Sequence, residues 1–467
     1  MIGKSIMLKK LIGTRQFYKM VLMITIPIII QNGITNFVSL LDNIMVGRIG
    51  TEEMSGVAIV NQFIFVYNIC VFGAISGAGI FGTQFFGKGD NEGVKHAFRF
   101  KFIICMAAVI IGSVIFIFFS EPLINLFLHE GDTSESGDIT KVLMYGKNYI
   151  KIMIIGLLPY TISQVYSSTL RETGQTLIPM LSGVVAVFVN LGLNFLLIYG
   201  MWGFPKLGVY GAAVATVISR FVEVFILIIW THLNAGKNQF IVGVYRSFYI
   251  PGELIEGIIK KGMPLMANEV LWALGMSVLN QRYSTKGIDV VAAVNISSVL
   301  NNVFNVVYIS LGSAVSIIIG QLLGAGKMKE AKEQNTQILA FSVFTCLIMG
   351  MAMIFVAPLF PELYEAPDIV KSLAASMIKI MACFMPMCAF VHASYFTLRS
   401  GGKTFITFLF DSAYVWVIVI PFAFILTECT SLPILPVFAL CQAIDIIKCI
   451  IGFILVKKGV WLNNIVN

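Results

Sequence analysis

The chain has 467 residues, of which 58% are hydrophobic and only 12% charged, about half the charged share of a soluble domain. That balance leaves no room for a large soluble domain and points to an all-α polytopic membrane protein. The net charge of +8 is no nucleic-acid signal, because the basic residues sit in short loops between apolar runs.

Twelve runs reach the ~20 residues that a bilayer requires. They are predicted at about 18–46, 55–86, 97–120, 143–170, 177–200, 208–232, 256–284, 292–323, 334–357, 370–398, 404–427 and 433–456. The first follows a basic segment (Lys4, Lys9, Lys10, Arg15, Lys19) and is too long for a signal peptide. It contains Asp42. A carboxylate near the centre of a membrane helix costs roughly 2.5–3.5 kcal/mol on insertion scales, so such a residue faces a protein interior or a wet cavity. Gln31, Thr35 and Asp42, with Asn32, Asn36, Ser39 and Asn43 beside them, form a polar stripe on an otherwise apolar helix. The amides and Ser39 also suit simple interhelical hydrogen bonding. Pro27 removes one backbone donor from this helix and is a candidate hinge, about 22 Å before Asp42 along an ideal helix.

The loops alternate in charge. One set carries Lys88, Lys95, Arg99 and Lys101, then Arg171, Lys237 to Lys261, Lys327 to Lys332, Arg399 with Lys403, and Lys457 with Lys458. The other set is acidic or sparse: Glu52 and Glu53, the segment 129–138, Lys206, Asp289, the segment 361–368 and Glu428. The positive-inside rule then places both termini in the cytoplasm of a multi-pass protein of the inner (cytoplasmic) membrane.

The two halves repeat. Pro27 matches Pro264, Gly50 matches Gly287, and Gln84, Gly87 and Gly89 match Gln321, Gly324 and Gly326, each pair 237 apart. TLRETGQT (169–176) matches TLRSGGKT (397–404) at a separation of 228. Six spans separate the copies, so the repeats are parallel, as suits a central site between two bundles. The expected organisation is an N-lobe at 1–235, a cytoplasmic linker at 236–255 and a C-lobe at 256–467.

P-x14-D-x4-G in the first span, TLRETGQTLIP, VNLGLNFLLIYG (189–200), GVYGAAVATVISRFVE (208–223), GMPLMANEVLWALG (262–275) and TLRSGGKTFITFLFDSAYVWVIVIP (397–421) together resemble the multidrug and toxic compound extrusion (MATE) transporters, in a prokaryotic branch. The resemblance covers nearly the whole chain. It implies twelve transmembrane helices in two pseudo-symmetric six-helix lobes forming a V. It also implies antiport by alternating access: amphipathic, often cationic drugs or toxic compounds leave in exchange for Na⁺ or H⁺. No other cofactor and no enzymatic activity is implied, and a monomer in the lipid bilayer is expected.

The resemblance assigns cation coupling to Asp42, Asn190 and Asn194. Asn190 and Asn194 share a helix face, and hard oxygen donors around one carboxylate suit Na⁺ if sodium is the coupling ion. Some proton-coupled relatives carry Asp at the position of Asn194. Asn194 leaves this site one carboxylate where those relatives have two, a departure from the two-carboxylate proton scheme that leaves Na⁺ open.

The C-lobe acids are not copies of the N-lobe acid. Glu269 aligns with Asn32, Leu279 takes the place of Asp42, and Asp411 aligns with Gly183. Asn268, Glu269 and Trp272 share a helix face, where a carboxylate beside an aromatic ring can hold an organic cation. With Asp411, Asn302 and Asn305 they form the expected substrate-binding set, although each polar group also suits internal pairing. Arg220 with Glu223 and Asp445 with Lys448, three residues apart, read as structural ion pairs.

GTQFFGKG (82–89) approximates a phosphate-binding loop but ends in Gly89 and closes a membrane helix. The four histidines show no ligand spacing, and His392 reads as a packed core residue. The cysteines lie mostly within apolar stretches and read as small core residues. A lipid-linked or glycan flippase of related architecture is the alternative transport function. The acidic character of the intramembrane charges favours cationic cargo over phosphates. An embedded enzyme lacks its clustered acids or histidines.

Overall fold

The computed structural model describes residues 11–47, 49–127 and 139–467, apart from the side chains at 38–40, 42–44, 46–47 and 51. The acidic segment 129–138 therefore lies outside the described residues. Among the described residues, twelve helices are long and apolar enough to cross a membrane, the number predicted. They are α1 (Arg15–Gly47), α2 (Thr51–Lys88), α3 (Asn91–Asn125), α4 (Ile139–Glu172), α5 (Leu177–Tyr199), α6 (Val209–Leu233), α7 (Gly252–Ser284), α8 (Ile288–Gly324), α9 (Met328–Val356), α10 (Asp368–Ser400), α11 (Thr404–Glu428) and α12 (Ile434–Lys458). Several exceed their predicted spans, because the helix continues past the apolar run and keeps its backbone groups paired.

Two helices depart from regular form. The α11 helix passes through π-helical turns at Leu409–Ala413 and Val415–Val419. The α12 helix breaks between Ala443 and Ile446, so that Asp445 heads its second piece. Neither site carries a glycine or proline to announce it.

The repeat is visible in the turns. Gly89 and Gly326, 237 apart, end α2 and α8 with φ of +81° and +73°. Gly174 and Gly402, 228 apart, follow α4 and α10 with φ of +81° and +69°. Positive φ is cheap for glycine, which has no Cβ to collide with its own backbone.

The chain forms two compact units. The first comprises the described residues up to Ile29, Thr83–Asp90 and Gly257–Asn467; the second comprises Ile30–Gly82 and Asn91–Glu256. The boundary inside α1 falls two residues after Pro27.

In the second unit, the α5 and α6 backbones approach closely where Gly211 meets the Leu197 carbonyl, 2.6 Å from where a Cβ would stand. At the α3–α4 contact, the fully buried Lys101 reaches both carboxylate oxygens of Glu172 at 2.6 Å and the Thr169 hydroxyl at 3.2 Å. The α2 helix accommodates that carboxylate with Gly79 and Gly82, whose absent side chains leave room for its two oxygens. Arg220 and Glu223 pair at 3.4 Å, as the spacing predicts.

In the first unit, Phe17, Val21, Ile24 and Ile28 of α1 belong to one buried apolar cluster with Val315, Ile318 and Ile319 of α8 and Ile338 of α9. The α2 end crosses α8 through repeat-matched residues. A Cβ on Gly87 would lie 2.0 Å from the Gln321 carbonyl oxygen, and one on Gly324 would lie 1.9 Å from the Gln84 carbonyl oxygen. The buried Gln84 side chain donates to the Ser400 carbonyl at 2.9 Å and accepts from the Ile465 amide at 2.9 Å. The segment after α12 is thereby tied to the ends of α2 and α10, with Trp461 fully buried.

Candidate functional site

Each unit holds a polar site in its helices. In the second unit, Asn190 and Asn194 lie one turn apart on α5, and both are buried. Asn194 Nδ2 donates to Asn190 Oδ1 at 3.2 Å, and Asn190 Nδ2 donates to the Thr216 hydroxyl of α6 at 3.2 Å. The Asp42 side chain lies outside the described residues, but its place along α1 is fixed. The Gln31 side chain approaches Gly183, and the Tyr199 hydroxyl donates to the Met45 carbonyl at 3.4 Å. The two helices thus run side by side in the same direction. Asp42 lies three residues from Met45 and Asn194 five from Tyr199, so the two positions sit within about one turn of the same level.

The first unit holds a cavity of about 380 Å³ between its helices. Its wall includes Trp272 of α7, Asn302 and Asn305 of α8, His392 of α10, Asp411 of α11, and Asp445 and Lys448 of α12. Of the predicted substrate-binding residues, Trp272, Asn302, Asn305 and Asp411 therefore share one wall. Asn268 stands behind it. This amide is buried, donates to Asp411 Oδ2 at 3.1 Å, and accepts from the Ser412 amide at 3.1 Å and the Ser412 hydroxyl at 2.7 Å. A buried amide satisfied on both ends fixes the rotamer of its partner. Here it holds Asp411 on the π-helical stretch of α11, and such irregular turns recur at functional sites.

Glu269 belongs to an adjoining network. Its neighbour Asn268 donates to the Tyr395 hydroxyl at 3.4 Å, and the charges of Arg399 and Asp411 act on Glu269. Although Glu269 and Trp272 lie one turn apart, only Trp272 is part of the cavity wall.

Lys448 corrects its predicted pairing. Its ammonium donates to Asp411 Oδ1 at 2.8 Å, across to α11, where the spacing had suggested Asp445 three residues before it. Asp445 heads the helical piece that carries Lys448, its carbonyl accepting from the Cys449 amide at 3.0 Å, but the ammonium bonds across to α11, where Asn268 holds Asp411. The Lys448 ammonium also faces the Tyr414 ring at 5.3 Å and the Phe410 ring at 5.9 Å. His392, predicted as core, contributes to the wall, with its ring 4.5 Å from Tyr308 and Nδ1 3.0 Å from the Cys388 carbonyl. The sequence signal for both was a basic residue within an apolar span. Local spacing concealed its true partner.

The family model MatE matches residues 27–196 and 264–425. The probable multidrug resistance protein YoeA of Bacillus subtilis (strain 168) is 24% identical over 422 residues, covering 88% of each chain. A probable multidrug resistance protein NorM of Thermotoga maritima is 24% identical over 422 residues, covering 89% of this chain and 87% of its own. The fold is shared with a solved outward-facing multidrug resistance MATE family transporter of the MOP superfamily: TM-score 0.85, 18% identity, 97% of both chains covered. Two matched segments that together span most of the chain, on twelve membrane-length helices, establish that the chain belongs to the MatE family, whose members are transporters and not enzymes.

Proposed function

We propose that this transporter is a secondary antiporter that exports amphipathic organic cations in exchange for Na⁺ or H⁺ by alternating access. The observation that carries the reading is the cavity wall. Asp411, Asp445, Trp272, Asn302 and Asn305 line one cavity. Carboxylates attract the cationic centre, the indole offers a π face to it, and amides hydrogen-bond polar substituents without fixing one shape. The relatives named multidrug resistance proteins support the same cargo class.

Coupling falls to Asp42 with Asn190 and Asn194. One carboxylate among amide oxygens can be neutralised by a proton or by Na⁺, and its occupancy biases the equilibrium between states. Pro27 lies beside the point where α1 passes from one compact unit to the other, which supports its role as a hinge. Both termini are cytoplasmic, and the working form is a monomer.

The test is dye efflux from proteoliposomes under a pure Na⁺ gradient and under a pure pH gradient. One of the two should drive export of a cationic dye. Failure of both, with flipping of a lipid-linked substrate instead, would replace the reading.

A further inference from the structure

The cavity wall carries three charged side chains, Asp411, Asp445 and Lys448. Two carboxylates and one ammonium leave one net negative charge, counting His392 as neutral. Both oxygens of Asp411 already have protein donors, Lys448 on Oδ1 at 2.8 Å and Asn268 on Oδ2 at 3.1 Å. A cation entering the cavity therefore meets an acid whose counter-ion is in place. Lysine is a point charge on a flexible four-carbon stem, unlike the rigid fork of arginine. Lys448 stands three residues after Asp445, and Asp445 lines the same cavity. An alternative acid is thus within reach of the same ammonium.

Given the cationic cargo argued above, we infer that Lys448 is a tethered internal counter-ion that the cargo displaces. The incoming cation takes Asp411, and the lysine ammonium leaves Asp411 for Asp445. No covalent bond changes, and the wall stays neutral with one cargo charge bound. This assigns the cavity to cargo with a single positive centre. A dication would leave one uncompensated charge in a site of low dielectric, where unpaired charge is costly. Lys448 is then a specificity residue: it sets how many charges the cavity accepts.

The experiment uses purified full-length protein and two probes, the monocation tetraphenylphosphonium and the dication methyl viologen, titrated by calorimetry. The wild type should favour the monocation. Lys448→Met removes the internal charge and should bind methyl viologen at least tenfold more tightly than the wild type does. Lys448→Arg keeps the charge and should keep the wild-type preference. Asp445→Asn removes the alternative partner and should weaken tetraphenylphosphonium binding about tenfold. Lys448→Gln retains a hydrogen bond to Asp411 and serves if the methionine variant does not fold. A folded Lys448→Met or Lys448→Gln protein with an unchanged ratio of monocation to dication affinity overturns the inference, as does a wild type that does not bind tetraphenylphosphonium. Dye efflux separates this from the proposed function. A wild type that exports cationic dye while the variants keep its charge preference rejects the tether alone. A changed charge preference in a protein that exports no cations rejects the export reading alone.

Discussion

Lys101 places its ammonium 2.6 Å from each carboxylate oxygen of Glu172, with no part of the lysine side chain exposed. The second repeat does without this pair. At the matching turn, Thr397 donates to Asn335 at 2.7 Å and Ser400 stands where Glu172 would be. One repeat thus closes its α3–α4 contact with charge, and the other joins α9 to α10 with a neutral hydrogen bond. Removing one partner of a buried pair leaves the other uncompensated and costs about 3–5 kcal/mol. Lys101→Met and Glu172→Gln should each lower thermal stability in detergent by that order. The double change Lys101→Met/Glu172→Leu should recover much of the loss. Equal stability of Lys101→Met and wild type would show that the pair contributes nothing net.

The crossing of α2 and α8 makes a second prediction. Gly87→Ala and Gly324→Ala each force a methyl group onto a carbonyl oxygen of the opposing helix. Overpacking of this kind typically costs about 1–3 kcal/mol. Each should destabilise by at least that much in thermal unfolding, and the double variant by less than the sum, because both act on one contact. Gly192→Ala is the control. That exposed α5 position has nothing within 4 Å of an added Cβ, and alanine there should be neutral or stabilising by up to about 1 kcal/mol.

Cargo recognition is tested at Trp272. Trp272→Ala should weaken binding of a cationic dye several-fold, in line with about 0.5–2 kcal/mol for a cation over an indole face. Trp272→Phe should retain most of the affinity. Glu269→Gln should leave dye affinity closer to wild type than Asp411→Asn does, because Glu269 lies in the Tyr395–Arg399 network and off the cavity wall. Competition binding on the four proteins orders these effects.

Coupling is tested at Asp42. Asp42→Asn is nearly isosteric and should insert normally, but ion-driven efflux should collapse by at least tenfold. Asn190→Ala and Asn194→Ala should be milder and shift the dependence on Na⁺ or pH. Efflux from proteoliposomes, measured beside folding, gives the answer. Near wild-type antiport by a folded Asp42→Asn protein would move the coupling role elsewhere.

Membrane orientation has a direct readout. In a background without native cysteines, Glu365→Cys should react with an impermeant thiol reagent from outside, and Lys329→Cys should not. Both positions are exposed. Reversed labelling would invert the topology drawn from loop charge.

The architecture was legible because bilayer insertion imposes long apolar runs, and twelve such runs could be read directly. The repeat was legible because its turns need glycine at positive φ, as at Gly89 and Gly326. The cavity was partly legible: Trp272, Asn302, Asn305 and Asp411 stood out as polar or amphipathic residues in apolar helices. The partner of Lys448 was not, since a contact between α11 and α12 has no fixed spacing in the chain. The Lys101–Glu172 pair escaped for the same reason. Lys101 had been read only as a loop charge, and its partner lies 71 residues away.

The reciprocal contact at Gly87 and Gly324 has the form of an isologous interface, in which residue i meets residue j and j meets i. A half-length ancestor would make the same contact as a homodimer, with a single glycine codon supplying both sides. In such a dimer every substitution is paid twice. Gene fusion removes that constraint, because each half then drifts alone. Both glycines of the crossing are present, whereas the acids are not paired: Asp42 aligns with Leu279, and Asp411 with Gly183. The two halves share the crossing and differ in where their acids stand.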